Sequence, residues 1–387
     1  MRILHLTYKA NKGNVITDYI STLVENQKQQ SMEVAVAYSE KEFNKMFATF
    51  QPDIVHIHKC WDLNTYLCAK KAINKGCALL LSPHGELFQF AMESEKAVRK
   101  DIKRITYQQK MVQLVDALLV FSEKEKHDVE KLKWNNRIDI VPSCLFNSNI
   151  SAQEMAEKVI LIYTKIIHTR YRKYMTTAEF QSICTLLHKG LQQDENYKII
   201  PTDRLLELHN LTPQQWQRIF LFADDENIRN YIDIGISLLK LSPTNIDSQS
   251  ILRYPAYMPK TKETLNKKEA ITTNYFSRER IENANEREEE PIKSITFMMA
   301  NAKFLSQQKR LSLQHLSEIY LMIRFEDYDE DQLAAVLKQM HLLKFGQRMM
   351  QILTKNLFLE RGYTPFPPID DKKTLNIIKN FINKEEY

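Results

Sequence analysis

Cysteine is scarce in this 387-residue chain: Cys60, Cys68, Cys77, Cys144 and Cys184 are odd in number and form no CxxC pair. That argues against a disulfide framework and against the usual spacing of a zinc site, and it fits a reducing compartment, so a cytoplasmic location is expected. Charge of one sign is also lacking. The net charge is +6, but acids and bases are interspersed along most of the sequence, so a nucleic-acid partner is not expected. No apolar run approaches the length of a membrane span, and the opening "MRILHLTYKANKG" has no signal-peptide core. Any membrane contact is therefore expected to be peripheral, at the inner face of an anionic bilayer. Internal repeats and long low-complexity tracts are absent. What is present is the composition of a globular protein, 43% hydrophobic and 26% charged, with length enough for two or three domains.

The first 150 residues alternate short apolar runs with amphipathic segments. "RILHLTY", "MEVAVAY", "DIVHIH", "CALLLSPHG", "ALLVFS" and "RIDIVPS" read as strands. Helical patterns such as "NVITDYISTLVENQKQQ", "EKEFNKMFATF" and "LNTYLCAKKAINKG" separate them, with a long helix over roughly 95–115. Strands this uniformly apolar are buried on both faces, which predicts a parallel sheet covered by helices, a Rossmann-like domain over 1–150.

After residue 150 that rhythm stops. "SAQEMAEKVILIYTKIIHTRYRKYM" and "TTAEFQSICTLLHKGL" read as helices, the second ending near Gly190, and Thr212 with Pro213 marks the start of another. The expected division is a helical domain over 151–254, a charged linker over 255–292 with its acidic run at Glu286–Glu290, and a second helical domain over 293–387. Asp327, Asp329 and Asp331 imitate a calcium loop, but Gln332 and Lys338 stand where that loop needs glycine and glutamate, so the segment reads as an acidic helix N-terminus.

Ligands of open α/β sheets bind beyond the carboxyl ends of the strands. His84 and Gly85 stand at such a point, after "ALLLSP". Gly85 lets backbone approach a ligand, and His84 has the chemistry to bond a sugar hydroxyl or to stabilise charge on a departing phosphate. His56 reads as a core histidine bonded to backbone. An HxH pair on a strand is also a metal-binding pattern, but His127, His168, His188, His209, His315 and His341 lie in helical patterns that do not converge, so no metal or other cofactor is expected.

"PDIVHIHKCWDL", "LLLSPHGELF", "VDALLVFSEKEKHDV" and "NRIDIVPS" follow one another as in the N-terminal domain of family-4 GT-B glycosyltransferases, which this chain resembles over about residues 1–147. The resemblance implies transfer of a sugar from a nucleotide-sugar donor to a saccharide or lipid-linked acceptor, with retained configuration and no obligatory metal. It puts His84 against the transferred sugar, His58 on the acceptor side of the cleft, and Gly85 and Glu86 beside them. It puts Ser122 and Glu123 at the border of the cleft and Gly13 in a loop facing the donor phosphates. The basic helix with Lys96, Arg99, Lys100, Lys103 and Arg104 would then face the acceptor and, with it, an anionic membrane surface.

The resemblance stops where a second Rossmann domain should begin. "IVPSCLFN" leads into helices, and Glu318 and Glu326, spaced like the family's donor-binding glutamates, fall in an apolar helical pattern. Two readings remain. One is a glycosyltransferase-like enzyme of surface-polysaccharide assembly. The other is a non-catalytic scaffold or partner subunit that keeps the acceptor-side half and recruits a protein partner through its helices.

Overall fold

The computed structural model describes residues 1–8, 14–88, 101–192, 202–243, 251–254 and 261–382. The chain divides into two compact units, Met1–Arg170 with the segment around Tyr254, and the residues that follow Arg170 on either side of that segment.

The first unit is a six-stranded parallel sheet: β1 Arg2–Leu6, β2 Glu33–Ala37, β3 Ile54–Ile57, β4 Ala78–Leu81, β5 Ala117–Val120 and β6 Ile138–Ile140, in the order β2-β1-β3-β4-β5-β6. Helices α1 Val15–Gln29, α2 Glu40–Phe50, α3 Leu63–Asn74, α4 Gln109–Leu114 and α5 Glu123–Leu132 connect the strands, and α6 Ala152–Thr169 follows the last of them. Polar caps set the helix starts. Asn14 accepts from the amides of Ile16 and Thr17, Ser39 from Glu42, Ser122 from Glu125 and Ser151 from Glu154.

Strand alternation sorts the core into two layers. Leu4, Leu6, Val55, Ile57, Leu79, Leu81, Leu118 and Val120 face α2 to α5, while Ile3, Ile54, Ala78, Leu80, Ala117 and Leu119 face α1 and α6. The expected Rossmann-like sheet is thus present. It extends past the boundary expected at 150, because α6 puts Met155, Val159, Ile162, Tyr163 and Ile166 on the sheet. The layer closes at a buried ion pair in which Arg170 Nη1 donates to Asp116 Oδ2 at 2.5 Å. The same oxygen accepts from the Leu79 amide at 2.8 Å. Tyr254 returns to this unit, its amide donating to Thr169 Oγ1 at 2.7 Å.

Among the described residues beyond Arg170 every regular element is helical: α7 Tyr171–Tyr174, α8 Thr177–Gln192, α9 Thr202–His209, α10 Pro213–Asp225, α11 Arg229–Leu238, α12 Tyr275–Asn285, α13 Ile292–Gln307, α14 Leu313–Phe325, α15 Glu330–Gln339, α16 Leu343–Leu357, a single 3-10 turn and α17 Lys372–Ile382. The two helical domains expected at 151–254 and 293–387 pack as one. Buried Glu226 accepts from Arg172 Nη2 at 2.9 Å and, with its other oxygen, from the Leu313 amide at 2.7 Å. The stretch expected as a linker contributes α12, whose Ile281 and Ala284 are buried. Asp329 caps α15 by accepting from the Gln332 amide, as the acidic N-terminus predicts. No described helix is long and apolar enough to cross a membrane.

Candidate functional site

The strand order reverses direction between β1 and β3, and a crevice beyond the carboxyl ends of strands is the usual ligand position in such sheets. Here those ends carry imidazoles. His5 on β1 pairs in register with His56 on β3, and His58 follows two residues on, on the same face. All three lie on the side covered by α1 and α6 and are fully buried, where aliphatic residues occupy the preceding positions of the strands.

Buried imidazoles need partners, and these are joined into a chain. Gln27 Oε1 lies 2.9 Å from His5 Nε2, His5 Nδ1 2.9 Å from His58 Nε2, and His58 Nδ1 3.0 Å from His84 Nε2. A branch completes the network: Gln27 Nε2 donates to the Tyr163 hydroxyl at 3.2 Å, Tyr163 lies 2.7 Å from His56 Nδ1, and His56 Nε2 lies 2.7 Å from Ser82 Oγ. The row ends at His84, in the loop after β4, which holds a left-handed backbone at φ 51° beside Gly85 at φ 80°. A Cβ on Gly85 would stand 2.9 Å from the Phe88 ring.

Two glutamates pin this loop, one from α5 and one within it. Buried Glu125 accepts from the amides of Gly85 at 2.7 Å and Phe121 at 2.9 Å. Glu86 accepts from the Cys60 amide at 2.6 Å, and its carbonyl accepts from Trp61 Nε1 at 2.9 Å. Against the loop opens a pocket of about 340 Å³. Its walls are Val15, Ile16 and Tyr19 of α1, the loop residues His84, Gly85 and Phe88, then Phe121, Ser122 and Glu125, and Phe146 beyond β6. The His84 ring packs against both Tyr19 and Phe121, with ring centres 5.5 and 5.2 Å away, and those two rings touch each other at 4.9 Å. The buried Tyr19 hydroxyl has no hydrogen-bond partner among the described residues.

Burial fixes the charge of the row. It lowers His5 and His84 from the ordinary histidine value to about 4 and holds His56 and His58 well below it, with neighbouring imidazoles adding to the effect on those two. Burial also raises the Glu125 carboxyl. In the unfolded chain each histidine takes a proton near pH 6.5, whereas the folded His5 stays neutral until about pH 4. The stabilisation is therefore complete above pH 6.5 and declines as pH falls toward 4, by about 3 kcal/mol for His5 alone. Urea unfolding followed across that range is expected to show the midpoint dropping. A midpoint that holds level would mean that the folded histidines take up protons as readily as those of the unfolded chain.

Of the residues expected at the site, His84, Gly85 and Ser122 line the pocket. His58, expected on the acceptor side of the cleft, is only 1% exposed and is not in the pocket lining; it reaches the pocket through His84. His56 is in the core as expected, bonded to the side chains of Tyr163 and Ser82 and not to backbone. Glu86 is spent on Cys60, and Glu123 is exposed on the first turn of α5, outside the pocket lining. Gly13, Lys96, Arg99 and Lys100 lie outside the described residues. Sequence reasoning missed His5, Gln27, Tyr163 and Glu125. The Ser122–Glu125 spacing is that of a capping box and was the available signal for the last. Glu318 accepts from the Leu265 amide at 2.7 Å and from Gln314 Nε2 at 2.9 Å, and it borders a separate cavity of about 720 Å³ in the helical unit together with Lys267, Lys268 and Arg310.

His5, His56 and His58 bring ligand nitrogens within 4.8 Å of one another, a donor set of the type that holds zinc. Their geometry is that of a hydrogen-bonded row. The His5 and His58 ring centres are 5.2 Å apart with facing nitrogens at 2.9 Å, so the nitrogens lie nearly on the line between the centres. A metal bound at about 2.0–2.1 Å from each would require both rings to turn off that line. Comparison of the chain with protein families, with curated proteins and with solved structures finds no match.

Proposed function

We propose that the sheet unit binds a sugar at His84 and that the chain acts as a retaining glycosyltransferase of surface-polysaccharide assembly, using a nucleotide-sugar donor and a saccharide or lipid-linked acceptor. The observation that carries this reading is the pocket at the strand ends. It offers aromatic walls for the apolar faces of a sugar ring, one half-buried imidazole and a glycine that admits close approach, in a volume within the ordinary range of ligand sites. The order of the "VHIH", "SPHGE", "FSEKE" and "IVPS" segments supports it independently.

A second reading, a non-catalytic partner that keeps only the sugar-binding half, is favoured by one observation: every regular element described beyond Arg170 is helical, with no second sheet to receive a nucleotide. Calorimetric titration of the full-length protein with a panel of nucleotide sugars and free saccharides separates the two. The enzyme reading expects saturable nucleotide-sugar binding; the partner reading expects saccharide binding alone. In either case His84→Asn, which tolerates the left-handed backbone but is too short to reach His58, is expected to weaken binding about tenfold or more while the unfolding midpoint drops only modestly, since His58 Nδ1 loses its partner but the protein stays folded. Unchanged affinity in that variant would remove His84 from the site.

A further inference from the structure

We infer that Gln27 sets which nitrogen of His84 is bare, and that the pocket consequently takes a ligand presenting a hydroxyl to His84 and excludes one presenting a phosphate oxygen. This deepens the sugar-binding reading and rests on it for the identity of the ligand, but not for the state of the imidazole.

The argument runs along the row. The Gln27 amide is committed at both ends, its oxygen toward His5 Nε2 and its nitrogen toward Tyr163. An amide oxygen only accepts, so His5 carries its proton on Nε2 and leaves Nδ1 bare. His58 must then donate from Nε2 to His5 Nδ1, which leaves His58 Nδ1 bare, and His84 must donate from Nε2 to His58 Nδ1. One neutral imidazole carries one proton, so His84 Nδ1 is left as a lone pair, and no described residue bonds to it. The Glu125 carboxylate lines the same pocket. An anionic phosphate oxygen would meet an acceptor and a carboxylate there, with no donor from His84, whereas a hydroxyl would supply the donor that Nδ1 lacks.

Nitrogen-15 spectra of histidine-labelled full-length protein at neutral pH test this directly. His84 is expected as the tautomer protonated on Nε2, with its Nδ1 signal moved by methyl glycosides and unmoved by inorganic phosphate. In Gln27→Met the polarity of the row loses its anchor, and His84 is expected as a mixture of tautomers with several-fold weaker glycoside binding. A wild-type His84 protonated on Nδ1, an unchanged tautomer in Gln27→Met, or saturable shifts of His84 with phosphate would each overturn the inference. The wild-type spectrum decides even if the variant does not fold. The expected tautomer with no response to any glycoside would support the role of Gln27 and defeat the sugar-binding reading instead.

Discussion

Replacing Arg170 with methionine lowers the stability of the sheet unit by about 3–5 kcal/mol, the usual consequence of removing one partner from a buried ion pair. Arg170 is 0% exposed and Asp116 1%, and the Asp116 oxygen that meets Arg170 also takes the Leu79 amide. Without the guanidinium the carboxylate stays in the core, between β4 and the start of β5, with its charge uncompensated. Amide hydrogen exchange in β4 and β5 reads this unit separately from the helical one. Adding Asp116→Asn to Arg170→Met removes the stranded charge while leaving an acceptor for Leu79, so the double variant is expected to recover a large part of the loss. A loss below about 1 kcal/mol in the single variant, the range of exposed pairs, would show that water reaches the pair.

Gly235→Ala and Gly190→Ala are expected to be comparably damaging in the helical unit, for the opposite reason. A Cβ on Gly235 would lie 2.2 Å from the Leu186 carbonyl oxygen, and one on Gly190 would lie 2.0 Å from that of Tyr231. Each glycine thus sits where α8 and α11 cross backbone to backbone, and the obstruction is main chain that no rotamer change can relieve. The helices must separate, with the loss of the contacts between them, and overpacking of this kind costs about 1–3 kcal/mol or more. Thermal unfolding of the single variants is the measurement, with the double variant expected to lose less than the sum because both changes open one crossing. A Gly235→Ala protein with wild-type stability would show that the crossing is loose.

The six strands were legible because strands buried on both faces need near-continuous apolar sequence, and few other elements produce that pattern in runs so short. Partnership was less legible. Residues 152–169 form a helix by pattern alone, but an amphipathic stripe does not state which surface it covers, and here it covers the preceding sheet. Gly190 reads as the end of a helix by the same local rule that succeeds at Gly76 after α3, yet it lies within α8, where its use is the crossing with α11. At the site, His84 was found from its position beyond a strand. Gln27 and Tyr163 carry no local signal, since their bond joins residues 136 apart in sequence. His5 had a signal in its register with His56, which only the pairing of β1 with β3 reveals.

The place of Tyr163 in the network bears on how such a site can be inherited. Its hydroxyl bonds both Gln27 and His56, so a helix contributed after the last strand holds together two branches of the polar row inside the sheet. The minimal heritable module is consequently the sheet plus this helix, through Arg170. A recombination that exchanged everything after β6 would leave Gln27 and His56 without their common partner, whereas an exchange placed after α6 keeps it.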